Sequence, residues 1–327
     1  MKNIKLFLGS MILLLVLSAC NNEENETEKV SIMLDWYPNA VHSFLYVAEE
    51  KGYFEDEGIE LDIQFPANPT DPINLAAAGK VTMGITYQPD VIIAKTEQDI
   101  DLKSVGVLVQ SPLNHVGFLK DSGIQSPKDF EGKTIGFTGI PLNEAMIQTM
   151  METDGADFNT VSMVDVGFEL SSSIVSEKTD AAVGMYINHE FPMLEYEGYT
   201  PEHLDPTDFG VPSFYELLVV TSDDTWSKEQ ENIEAFWRAA KKAFDDMDKD
   251  PDAALATLLK NQDKANFPLI EEVEKESLSI LLPKMKANGT FGHQDEEVWQ
   301  VTADWMTKTG LLTKEPNLEG IFVNMPK

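Results

Sequence analysis

Short apolar runs of strand character alternate with segments of helical period from residue 30 to about residue 221, and this alternation constrains the fold most tightly. Val30 to Leu34 reads as a first strand. A helix from Ser43 to Lys51 follows, with Phe44, Val47 and Ala48 on one face and Gly52 just past its end. Ile59 to Phe65 places Ile59, Leu61, Ile63 and Phe65 at the period-two spacing of a half-buried strand. A helix from Pro72 to Ala78, a strand from Val81 to Thr86, a helix opening at Pro89 and a strand from Leu102 to Gln110 complete a first set. The pattern restarts with a strand from Val116 to Leu119. It continues through a strand at Thr134 to Phe137, a helix at Leu142 to Thr153 with Met146, Met150 and Met151 as its core, and strands at Val161 to Val166, Ala181 to Tyr186 and Phe214 to Thr221. Beyond Lys228 the chain is mostly helical, with segments at Glu231 to Asp248, Asp252 to Asn261, Ile270 to Met285 and Glu296 to Thr309. Strands alternating with helices predict an α/β fold with mainly parallel sheets. The ligand site of such sheets lies beyond the carboxyl ends of the strands, where the two sets face one another.

The length of 327 residues suits two domains. Basic residues number 24 and acidic residues 56, for a formal charge of −32. That balance excludes non-specific nucleic-acid binding and disfavours an electrostatic grip on anionic lipid. The acids are spread along the whole chain, as on a solubilising outer surface. Arg238 is the only arginine and falls in a helical stretch of the tail, so no arginine clamp for an anion is evident. The five histidines show no metal-binding spacing, and Cys20, the lone cysteine, forbids an internal disulfide or a cysteine metal cluster. Lys2 and Lys5 precede an apolar run from Leu6 to Leu17, too short for a permanent span but suited to a signal peptide. Leu17-Ser18-Ala19-Cys20 closes it in the manner of a bacterial lipobox, with Cys20 as the lipidated residue. Residues 1–20 are therefore expected to be a lipoprotein signal peptide and 21–29 a flexible tether, with the mature body outside the cytoplasm and anchored to the cell membrane by lipid alone.

Several stretches carry a family resemblance. Leu34-Asp35-Trp36-Tyr37-Pro38-Asn39 with His42 beyond it, Ala48 to Gly52 with Tyr53-Phe54, Gly84-Ile85-Thr86-Tyr87, Asp129 to Lys133, and Gly184 to Glu190 are together similar to the NMT1/THI5-like branch of ABC-transporter solute-binding proteins. The resemblance implies a type II periplasmic-binding-protein fold, two α/β lobes joined by two crossover segments. Lobe one would combine 30–113 with 219–327, lobe two would be 114–218, and the hinges would be short strands near Val116 and Leu217. It further implies a thiamin-related pyrimidine ligand, formylated or as the free aminomethylpyrimidine, taken up with an ABC permease and ATPase complex. A monomer with no cofactor and no nucleic-acid partner is expected.

Trp36 and Tyr37 follow the first strand at its cleft end, where an aromatic face can stack on a heterocycle; the alternative for each is packing within lobe one. Asn39 can donate and accept toward ring nitrogens or can serve the turn after Pro38. Tyr87 holds the equivalent place after the third strand. In lobe two Tyr186, Asn188 and Glu190 lie in the Gly-x-Tyr-x-Asn-x-Glu stretch that the resemblance assigns to ligand contact, with Glu190 accepting from an exocyclic amine. Gly139, Pro141 and Asn143 form a loop entering a helix, whose start suits a formyl oxygen. Asn114 is either a contact or a hinge residue. Two rivals remain: a binder of another solute, such as a sulfonate, nitrate or riboflavin, and a pyrimidine-synthase-like enzyme. The fungal synthases of the branch carry a cysteine-rich motif that has no counterpart here.

Overall fold

The computed structural model describes residues 27–286 and 290–326. The signal segment and Cys20 lie outside the described residues. The first set of elements is β1 (Glu28–Met33), α1 (Ser43–Glu50), α2 (Tyr53–Asp56), β2 (Ile59–Gln64), α3 (Asp71–Ala77), β3 (Met83–Thr86), α4 (Gln88–Glu97) and β4 (Leu102–Val109). The second is β5 (Asn114–Leu119), β6 (Thr134–Phe137), α5 (Pro141–Thr153), β7 (Ser162–Asp165), α6 (Leu170–Val175), β8 (Ala181–Tyr186), α7 (Glu190–Tyr196) and β9 (Pro201–Leu204). The chain then returns through β10 (Leu217–Ser222) and ends in α8 (Asp223–Lys249), α9 (Pro251–Asn261), α10 (Glu271–Met285) and α11 (Glu296–Lys308). Because β1 starts at Glu28, the stretch expected as a tether gives its last two residues to a strand that pairs with β2 from Glu28↔Ile59 onward.

Two five-stranded sheets form, ordered β2-β1-β3-β10-β4 and β7-β6-β8-β5-β9. They are mixed rather than mainly parallel. β1 pairs parallel with β2 and β3, and β6 with β7 and β8. β10 runs antiparallel between β3 and β4, and β5 antiparallel between β8 and β9. The physical reason is the crossover itself. β4 leaves the first sheet at its carboxyl end, so β5 enters the second sheet from the cleft side and must run against the strands already pointing that way. β10 repeats this on the return. Both crossing strands carry register shifts, at His115/Val116 and at Leu217/Leu218 and Val219/Val220, which add local twist. The return into the first sheet occurs at Leu217, two residues before the expected boundary at 219.

Each sheet buries its apolar positions against its own helices. β1, α1, α8, α9 and α10 enclose Ile32, Phe44, Phe236, Trp237, Leu281 and Phe291. β5, β6 and α5 enclose Phe118, Ile135 and the wholly buried Met146, Met150 and Met151. The tail binds the lobes together as well: α11 packs on α4, and its Trp305 donates Nε1–H to Thr149 Oγ1 of α5 at 3.0 Å. One close approach sets the seat of α8. A Cβ on Gly106 of β4 would collide with the indole of Trp237, so the residue facing that ring must be glycine. Among the described residues no helix is long and apolar enough to cross a membrane.

Candidate ligand-binding cleft

The carboxyl ends of β1, β3, β6 and β8 converge on one gap between the sheets, and the residues following them form its walls. Trp36, after β1, is 39% exposed at the rim. Its ring lies 5.4 Å from Tyr37, edge-on, and 5.2 Å from Phe168, which follows β7 in the opposite lobe and is 65% exposed. The two rims thus meet through aromatic rings. Tyr37 is stacked on Phe267 of the α9–α10 connection, with centroids 3.6 Å apart and planes 19° apart, and Phe65 packs beside both. Phe65, Phe168 and Phe267 were not expected, since each sits in a connection remote in sequence from Trp36.

Asn39 is an element of the helix start. Its Oδ1 accepts from Val41 N–H at 3.1 Å and its Nδ2 donates to the Tyr37 carbonyl at 3.0 Å. Its own N–H donates to His42 Nδ1 at 3.3 Å, which leaves Nε2–H of His42 to donate to the buried Asp35 carboxylate at 2.9 Å. These are the bonds of the turn after Pro38, where capping satisfies helix-start N–H groups that have no other partner. The buried Glu274 of α10 completes this corner, with Oε2 accepting from Ala40 N–H at 2.7 Å.

Tyr87 and Tyr186 approach each other from opposite lobes, both half-buried, each with its phenol held well above 10 chiefly by burial. Both therefore remain neutral hydroxyls. Tyr186 donates to Glu216 Oε1 at 3.0 Å. Glu216 Oε2 accepts from Leu113 N–H at 2.6 Å and Asn114 N–H at 3.2 Å. Burial raises the Glu216 carboxyl, and these hydrogen bonds oppose the rise. Asp90, in the first turn of α4, is pushed up to about 6, first by burial and then by the charge of Glu216. Neither acid stood out in the sequence, where 56 carboxylates look alike.

Asn114 and Asn143 are brought together. Asn114 Nδ2 donates to Asn143 Oδ1 at 3.4 Å, and Asn143 Nδ2 donates to Thr138 Oγ1 at 3.0 Å. Asn114 is 7% exposed and its Oδ1 has no partner. It faces Tyr186 directly across the β5–β8 pair, so both side chains project from the same face of the sheet. Glu190 opens α7 and turns back, Oε2 accepting from Tyr186 N–H at 2.7 Å, while burial raises its carboxyl. Asn188 reaches across to the tail, donating Nδ2–H to Ser277 Oγ of α10 at 3.1 Å; its own Oδ1 is buried without a partner. Gly139 and Pro141 are exposed at the entrance of α5, with Gly139 at φ 76° and placed so that a Cβ there would collide with the Asp165 carboxylate. Arg238 is distant from all of these, paired with Glu57 and Glu231 on the outer surface.

A family profile described as NMT1/THI5 like matches residues 39–254, which include every cleft residue named above except Asp35, Trp36, Tyr37 and those of the tail. The chain belongs to the NMT1/THI5-like family. Among relatives, it is 49% identical over 311 residues to a formylaminopyrimidine-binding protein of Halalkalibacterium halodurans, covering 94% of each chain. It is 25% identical to a 4-amino-5-hydroxymethyl-2-methylpyrimidine phosphate synthase of Uromyces fabae, over 85% of this chain and 80% of that one. The periplasmic aliphatic sulphonate-binding protein SsuA of Escherichia coli superimposes with a TM-score of 0.72 at 15% identity, over 92% of this chain and 93% of that one. At that identity the likeness shows the fold, the periplasmic-binding-protein fold. Three of the family stretches of this NMT1/THI5-like chain, Leu34 to Asn39, Gly84 to Tyr87 and Gly184 to Glu190, thus lie at the strand ends that wall one cleft, while Ala48 to Phe54 falls in α1 and α2 and Asp129 to Lys133 leads into β6.

Proposed function

We propose that the chain is the extracytoplasmic solute-binding component of an ABC importer, which captures a thiamin-related aminopyrimidine between its lobes and presents it to the permease and ATPase. The observation that carries this reading is Asn114 Oδ1, a buried acceptor without a partner, on the same wall as Tyr186 and Glu216. A buried unsatisfied acceptor is costly, and an exocyclic amine of a bound ligand relieves it. Half-buried phenols and the Trp36 and Phe168 rings offer flat apolar faces for the heterocycle. Glu190 Oε1, Asp90, Asn143 and the exposed Gly139–Pro141 turn are the further candidate contacts. The carboxylates around the walls, Asp35, Asp90 and Glu216, oppose an anionic solute such as a sulfonate. The likeness to a formylaminopyrimidine-binding protein supports the pyrimidine class, in its formylated or free aminomethyl form.

A binder rather than a catalyst fits these walls, since their polar groups are held by hydrogen bonds that position a guest. The protein works as a monomer, tethered through lipid on Cys20. Native mass spectrometry of the purified protein should show a copurifying pyrimidine. A thermal-shift panel should respond to the formylated and free aminomethylpyrimidines, by about 2.7 kcal/mol of stabilisation at 100 times the dissociation constant. A shift with taurine or nitrate and none with any pyrimidine would overturn the assignment. For the anchor, growth with a radiolabelled fatty acid should label the wild-type protein and leave Cys20→Ala unlabelled, and an unlabelled wild type would rule the lipid out.

A further inference from the structure

Glu216 sits where both crossovers and the cleft wall meet. It precedes β10 on the returning crossover and is 2% exposed. Its own N–H donates to the Val109 carbonyl at the end of β4, at 3.1 Å. Its Oε2 accepts from Leu113 and Asn114, the outgoing crossover, at 2.6 and 3.2 Å. Its Oε1 accepts from the Tyr186 hydroxyl at 3.0 Å, so one carboxylate joins both hinge strands to a side chain of the ligand wall. A second tie runs in parallel: Ile187 N–H donates to the Leu113 carbonyl at 3.0 Å. Lys284 of α10 donates to Ser111 Oγ and the Pro112 carbonyl, each at 3.1 Å, and so braces the same crossover from the tail.

We propose that Glu216 is a positioning residue that couples occupancy of the cleft to the hinge: a ligand pressing on Tyr186 moves the carboxylate, and the carboxylate moves Leu113 and Asn114. Lobe closure needs a few residues that absorb the rotation. Here those residues are held by a carboxyl group whose other oxygen accepts from Tyr186, a side chain of the ligand wall. A carboxylate serves because it accepts on both oxygens at once, whereas the isosteric amide accepts on only one.

The proposal uses the pyrimidine reading only for its probe, the formylated aminomethylpyrimidine. Three variants of the full chain, Glu216→Leu, Tyr186→Phe and the double variant, should be compared by calorimetry, small-angle scattering and native-state hydrogen exchange. Glu216→Leu, which removes both acceptor oxygens, should speed exchange of the Leu113 and Asn114 amides at least about tenfold without ligand, while Tyr186→Phe, which leaves that clamp intact, should change them less than about threefold. Each single variant should weaken binding about tenfold, and the double variant should be no weaker than Glu216→Leu alone. The compaction on binding should be lost in Glu216→Leu. Unchanged amide exchange in Glu216→Leu, or strictly additive losses in the double variant, would overturn the proposal. If the wild-type protein ignores the probe, the pyrimidine reading falls, and the ligand-free exchange still decides the role of Glu216. Should Glu216→Leu not fold, the same exchange and additivity tests use Glu216→Asp, whose shorter side chain draws the carboxylate away from Leu113 and Asn114.

Discussion

Asp90 shows how one residue can be kept at a cost. Its carboxyl is pushed up to about 6 by burial and by Glu216, so the folded protein binds the proton more tightly than the unfolded chain does. Folding therefore carries a penalty above about pH 6, which fades as pH falls toward the unfolded carboxyl's ~3.9. Asp90→Asn should stabilise the ligand-free protein at pH 8 by about 1–2 kcal/mol, the figure being held down by partial exposure to the cleft, and should leave stability near pH 3.5 unchanged. Urea denaturation at the two pH values checks this; equal effects at both would contradict it. The position of the Trp36-Tyr37 pair at the end of β1 was legible from a local motif, but the stacking of Tyr37 on Phe267 was not. Nor was the burial of Asp90 or Glu216 legible, because nothing local distinguishes a buried acid from an exposed one.

The elements were the most legible scale. The strand from Thr134 to Phe137 and the one from Ala181 to Tyr186 match their expected limits, and α1, α9 and α11 begin or end within a residue of theirs. The short α6, α7 and β9 were not anticipated, since four to seven residues carry too few periods to stand out. Packing between elements sets two outcomes. Gly106→Ala should cost about 2–3 kcal/mol, because Trp237 is wholly buried and its indole cannot withdraw; urea melts would show it, and a cost below about 0.5 kcal/mol would mean that α8 can shift. The Asn188–Ser277 bond ties the second lobe to α10. Ser277→Ala should weaken ligand binding about fivefold by calorimetry, the worth of one hydrogen bond that closure buries.

At the scale of the whole molecule, charge and topology dominate. The ion pairs are mostly exposed, such as Lys228–Asp224 and Lys275–Asp252, and such pairs contribute little. A net charge of −32 then leaves unrelieved repulsion. Raising the salt from about 0.02 to about 0.5 M should increase Tm, as the screening length falls from more than 20 Å to about 4 Å. A Tm that falls would show that attractive pairs outweigh the surplus. The fold class itself follows from strand–helix alternation with one restart, but the direction of β5 and β10 follows only from the chain passing twice between lobes.

Taken alone, the sequence determined which segments become strands and helices, that two such sets exist, and which stretches mark the family. These are periodic or contiguous patterns, written in residues close along the chain. Tertiary structure decided which residues share the cleft. Tyr37 meets Phe267 and Ala40 meets Glu274, partners more than 200 positions apart, and Glu216 gathers Leu113, Asn114 and Tyr186. It also decided that Asn39 caps a helix while Asn114 keeps an open acceptor. The physical reason is that burial and hydrogen-bond satisfaction belong to contacts made after the chain closes on itself. No local pattern records which of many identical polar side chains will be left without a partner.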